Sequence, residues 1–233
     1  MSQPIALIFG AGVRVGASVA STFAAKGYAI ATVSRTGTNA KTSEGYLSLK
    51  ADFADPTSVS GLFDAVRETF GAAPPVVVYN ASAMTVPPEE DSLLSVSAEN
   101  FVADLNVNTV TPYIVAQRAV REWASLPDGD GSVKKTFIFT GNILNTTVWP
   151  TPVFLDLGVG KSASAFWIGS ADQNYKGSGY RFFYADERDE EGKPKVQGLD
   201  GPAHAEFFAS LVERESEVPW HATFVKEKGY VKF

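Results

Sequence analysis

Few residues of this chain can do chemistry, so their spacing carries the argument. There is no cysteine, and His204 and His221 are the only histidines, so a thiolate nucleophile, a disulfide framework and a zinc site are not expected. The richest local pattern is "FGAGVRVGAS", in which Gly10, Gly12 and Gly16 follow an apolar run and open a helical one. Glycines at such a junction let the backbone approach a pyrophosphate, and the helix N-terminus adds amide donors and a favourable dipole. Tight strand–helix packing is the alternative reading of the same turn.

These residues need elements to position them. Short β-branched runs at 5 to 9, 29 to 33, 47 to 51, 76 to 80, 136 to 140, 180 to 184 and 230 to 233 alternate with helical patterns near 15 to 26, 56 to 70, 97 to 123, 158 to 174 and 202 to 214. The alternation predicts an α/β chain, one domain over residues 1–233, with a doubly wound, seven-stranded parallel sheet flanked by helices. Ligands in such sheets bind beyond the carboxyl ends of the strands. Val15, Val19 and Phe23 recur at spacing four up to Gly27, a helix stop, while Asp55 before Pro56 is a helix start. The stretches 127 to 135 and 187 to 195 read as solvated loops.

Composition limits the partners. A net charge of -6 excludes nucleic acid and anionic membrane surfaces as natural partners, and 45% hydrophobic content suffices for a sizeable core. No apolar run approaches membrane-spanning length and no secretory signal opens the chain, so a cytoplasmic location is expected.

The glycine-rich turn resembles that of the short-chain dehydrogenases/reductases, with Phe9 where threonine is usual and Arg14 where the middle glycine is usual. Further motifs fall in the family's order. "ADF" places Asp52 and Phe53 where the family holds the adenine ring, "YNAS" puts Asn80, Ala81 and Ser82 at its NNAG segment, and "LNVNTV" puts Asn108 at its active-site asparagine. The resemblance implies a Rossmann fold, a nicotinamide dinucleotide bound at Gly10, Gly12, Arg14, Val15 and Gly16, and a small-molecule substrate. It also implies a homodimer or homotetramer, through helices for which "SASA", Phe166 and Trp167 suit close contact. After the second strand, Ser34 and Arg35 stand where a diol-binding carboxylate would select NAD, so NADP(H) is the expected cofactor.

The resemblance fails at one position. The family's lysine matches Lys161, its strand-end serine is replaced by Thr140 or Asn142, and its tyrosine, four residues before the lysine, is Leu157. Leucine has no proton to give. Asp156 is about 100° round the helix from Leu157; it is expected either at the pocket edge as a surrogate acid or as a helix N-terminal carboxylate. The catalytic set expected from the sequence is therefore Asn108, Thr140, Lys161 and Asp156. The family's PG turn is replaced by "YADERDEEGKPKVQG", and His204 is expected at the surface or as a helix cap. Trp149 and Phe154 suggest an apolar pocket wall or a subunit contact. Three functions stand open: an NADPH-dependent reductase of a carbonyl or imine, a catalytically silent NADP(H)-binding protein, and non-redox chemistry in the same pocket.

Overall fold

The computed structural model describes residues 3–126, 134–196 and 198–233. Seven strands form the parallel body of one sheet: β1 (Ile5–Phe9), β2 (Ala29–Ser34), β4 (Leu47–Lys50), β5 (Val76–Tyr79), β6 (Thr136–Thr140), β7 (Arg181–Arg188) and β8 (His221–Val225). Two-residue antiparallel strands, β3 (Ala40–Lys41) and β9 (Gly229–Tyr230), close its ends, giving the order β3-β4-β2-β1-β5-β6-β7-β8-β9. The order reverses at β1, so the cleft between the exits of β1 and β5 is the switch point where an open α/β sheet takes its ligand.

Strand β1 is buried along its whole length and sends side chains to both cores. Leu7 and Phe9 face α2 (Leu62–Phe70), α4 (Thr111–Trp123) and α5 (Leu155–Tyr175), whereas Ala6 and Ile8 face α1 (Val15–Ala25) and α6 (Gly201–Glu213). The helix expected over 97 to 123 is α3 (Ala98–Leu105) and α4 joined by a π turn at Asn106–Val110, where insertions of this kind often mark function. Asp55 caps as the sequence indicates, its side chain accepting from Thr57 N–H, but the helix it opens is a short 3₁₀ turn, and Gly61 at φ +81° separates that turn from α2.

Two corrections concern the C-terminal third. The seventh parallel strand is His221–Val225 and not 230 to 233; the chain turns at Glu227 (φ 65°), and only Gly229–Tyr230 pairs back, antiparallel. The stretch from 187, read as a solvated loop, begins inside β7, where Asp186, Glu187 and Arg188 are all buried. Pairing explains this: Arg188 Nε donates to Asp186 Oδ2 at 2.6 Å, and Glu187 Oε2 accepts the Asp200 N–H at 3.0 Å. Residues 127–133 of the other expected loop lie outside the described residues.

Candidate active site

The exits of β1, β5 and β6 are tied together by one amide. Asn80 Nδ2 donates to the Gly10 carbonyl at 2.9 Å, and Asn80 Oδ1 accepts from the Thr140 hydroxyl at 2.9 Å. Gly10 adopts φ +83°, and a Cβ there would come within 2.6 Å of Ala81 N. A Cβ on Gly16 would overlap the Gly10 carbonyl oxygen, whereas Gly12 faces open space. Gly10 and Gly16 therefore close the turn, whereas Gly12, whose N–H donates to the Gly10 carbonyl and whose carbonyl accepts from Ala17 N–H, leaves open space beside the turn for a ligand to approach.

A cavity of about 710 Å³ opens over this junction. Gly12, Arg14, Val15, Asn80 and Ser82 line one part, and Thr140, Leu157 and Lys161 another. The sequence-predicted turn, strand-end and helix residues thus meet in one space. Arg14 and Arg35 are exposed and make no ion pair among the described residues. Ser34, at the end of β2, shares a 3.4 Å contact with the Thr36 hydroxyl.

Lys161 is 4% exposed. Its Nζ donates to the Thr140 carbonyl at 2.8 Å and stands 4.3 Å from the centre of the Phe139 ring. Burial disfavours the ammonium and brings its pKa down to about 7, opposed by the Asp186 carboxylate. Asp186 is itself pushed up by burial and held down by Arg188 and Lys161. It lines the cavity, and sequence reasoning missed it. The available signal was strand alternation, which puts Asp186 on the face of Tyr184, two residues earlier. Trp149 and Phe154, with ring centres 5.5 Å apart, join Leu157 in an apolar wall.

Other expected residues take different places. Asp156 does not line the cavity: its carboxylate accepts from Leu157 N–H at 2.8 Å and Thr85 N–H at 3.1 Å, at the helix start. Burial, and a hydrogen bond that its protonated form gives to Asp104, raise its pKa to about 6. The turn between positions 156 and 157 points it at α3, so the surrogate-acid expectation is corrected. Asn108 is fully buried, with both ends of its amide bonded to the Ala83 backbone at 3.0 and 2.8 Å and its carbonyl accepting from Ser164 at 2.7 Å. It locks the loop after β5 to α5. Asp52 accepts from Ala54 N–H, closing a local turn, and the Phe53 ring packs in the core against Phe9 and Tyr79 while its carbonyl accepts from the Thr111 hydroxyl at 2.8 Å. His204 is neither at the surface nor a cap; it is buried between Phe208 and Phe224, its Nδ1 2.8 Å from the Asp200 carbonyl. Asp200 is the cap, its side chain accepting from Ala203 N–H.

No family model matches the chain. A Short chain dehydrogenase/reductase dmxR12 from Cryptosporiopsis sp. (strain 8999) is 40% identical over 245 residues, covering 100% of this chain and 96% of that protein. Among solved structures, a 3-ketoacyl-(acyl-carrier-protein) reductase from Brucella melitensis complexed with NADH superposes with a TM-score of 0.76 at 19% identity, covering 97% of this chain and 98% of that one. A short chain dehydrogenase from Burkholderia cenocepacia J2315 in complex with NADP gives 0.71 at 21% identity, covering 98% of both chains. The two superpositions speak for the fold, a single α/β Rossmann-like domain. With a relative of 40% identity along its whole length, this chain belongs to the short-chain dehydrogenase/reductase family.

Proposed function

We propose that this chain is an NADP(H)-dependent reductase of a small carbonyl or imine compound, with Lys161 as the proton donor. The observation that carries the reading is that one cavity runs from the first turn of α1 to Lys161. The residues present suit a dinucleotide: open space beside Gly12, a helix N-terminus, and the exposed guanidinium groups of Arg14 and Arg35, which make no ion pair among the described residues, for phosphate. The Brucella and Burkholderia fold-mates hold NADH and NADP, in keeping with this choice. Bound there, the nicotinamide would supply a hydride to the substrate carbon.

The chain's own residues handle the proton and the water. The Thr140 carbonyl fixes Lys161 Nζ, while Leu157, Trp149 and Phe154 give the substrate an apolar wall and keep water from it. With a pKa near 7, Lys161 is partly ammonium at neutral pH and can give up a proton at little cost. A substrate protonated beforehand, such as an iminium, asks least of it. Asn108 favours the second reading, a silent NADP(H)-binding protein: it is fully buried, and its amide oxygen, amide nitrogen and carbonyl each already bond a protein partner, so it does not reach the cavity to hold a relay water.

The experiment has two arms. NADPH at a hundredfold excess over its Kd should stabilise the fold by about 2.7 kcal/mol relative to no ligand; it should raise the melting temperature more than NADH at equal concentration, and Arg35→Asp should abolish the difference. NADPH oxidation should then be followed across aldehydes, ketones and imines. Turnover should decline as pH rises through about 7, because the donating form of Lys161 is its ammonium. Binding without turnover on any substrate selects the silent reading; equal shifts from both cofactors, unchanged in Arg35→Asp, remove the 2'-phosphate argument.

A further inference from the structure

The segment between β7 and α6 replaces the family's PG turn, and its charges are sorted by side. At its base, Glu187 Oε2 accepts the Asp200 N–H at 3.0 Å, so the loop returns to the strand it left. Its acidic half is engaged away from the cavity. Asp189 accepts from the N–H groups of Glu191 and Lys193, Glu190 pairs with Lys228 at 3.0 Å, and Arg188 Nη1 donates to the Gly192 carbonyl at 2.9 Å. The Phe233 ring lies against Gly192, so closely that a Cβ there would meet it at 2.6 Å. The basic half turns the other way: Pro194, Lys195 and Val196 line the same cavity as Gly12 and Arg14.

Lys195 is half-buried and makes no ion pair among the described residues. A carboxylate that feels it is that of buried Glu187, one oxygen of which accepts the Asp200 N–H. The helix that follows, α6, starts against the first turn of α1: a Cβ on Gly201 would meet Ser18 Oγ at 2.5 Å and the Arg14 carbonyl oxygen at 2.8 Å. Lys195 thus belongs to a segment tied back at Glu187 and followed by a helix packed on α1, and it lines the cavity that Gly12 and Arg14 also line.

We infer that Lys195 is a pyrophosphate-binding residue, supplied to the dinucleotide site by the loop after β7 and sharing the cavity with Arg14. This rests on the dinucleotide reading above. A Lys at this place acts as a point charge on the phosphate oxygens, and Arg can replace it in charge. The contact concerns the part common to NADPH, NADH and ADP-ribose, so it is blind to the 2'-phosphate and to the nicotinamide.

Isothermal titration calorimetry of the whole chain with NADPH, NADH and ADP-ribose tests it, using Lys195→Met and Lys195→Arg alongside the wild type. Lys195→Met should weaken all three ligands by a similar factor, about five- to tenfold for one lost charge-assisted contact, and Lys195→Arg should recover most of the affinity. A loss confined to NADPH would assign Lys195 to the 2'-phosphate and overturn the proposal. Unchanged affinity for all three would also overturn it. A wild-type chain that binds none of the three would overturn the dinucleotide reading itself, and this proposal with it.

Discussion

Leu157 and Lys161 are one helical turn apart on α5 and both face the cavity, so the site holds a proton carrier beside an apolar side chain. Leu157→Tyr would put a phenol next to an amine that burial has already brought to about 7. The variant should gain roughly tenfold or more on a simple ketone or aldehyde, within the range of positioned acid–base catalysis; steady-state assays against the wild type read this. A folded, NADPH-binding variant whose introduced ring is buried away from the cofactor would show the helix register to be misread. The sequence disclosed Asn80, Thr140 and Lys161 because each stands at a strand exit or a fixed helical spacing. It could not disclose where Asp156 points, since 100° of rotation separates a cavity from a carboxyl pair with Asp104. For Asp52 the sequence allowed either a ligand contact or a local turn, and one oxygen of its carboxylate does close that turn.

At the scale of elements, α5 is held to the π turn of Asn106–Val110 through a contact that only glycine permits. A Cβ on Gly160 would overlap Asn108 Cβ, whereas one on Gly158 would meet nothing closer than Leu144 Cβ at 3.8 Å. Gly160→Ala should therefore cost about 1–3 kcal/mol by overpacking, at about 2–4 °C of melting temperature per kcal/mol for a chain of this size. Gly158→Ala should be neutral, or gain up to about 1 kcal/mol from helix propensity. Calorimetric melting of the pair checks it, and equal melting temperatures would mean that the helices can part. Hydrophobic periodicity found α5 and most strands but stopped β7 at Tyr184, because "ADER" is charged. Inside the sheet Arg188 pairs with Asp186 and Glu187 accepts a backbone N–H, and a hydropathy pattern records single residues, not their partners.

At the scale of the whole molecule, α4 and α5 each expose a large aromatic side chain. Phe166 is 78% exposed and Tyr113 50%, and Tyr113 and Trp167 border a groove of about 310 Å³ between the two helices. We propose that this face joins two copies of the chain. Sedimentation at micromolar concentration should give a dimer that Phe166→Glu dissociates, and a monomeric wild type would remove the proposal. Among the described residues no helix is long and apolar enough to cross a membrane. The two ends of the sheet have a different consequence. A long, flat outer strand offers its unpaired amides to any neighbouring chain and so seeds fibrils. Here β3 and β9 are two residues each, run against their neighbours, and place Lys41 in one strand and Lys228 just before the other. Neither margin gives an incoming strand enough backbone to grip, so crowded copies can meet by their helices but cannot stitch their sheets into a growing ribbon.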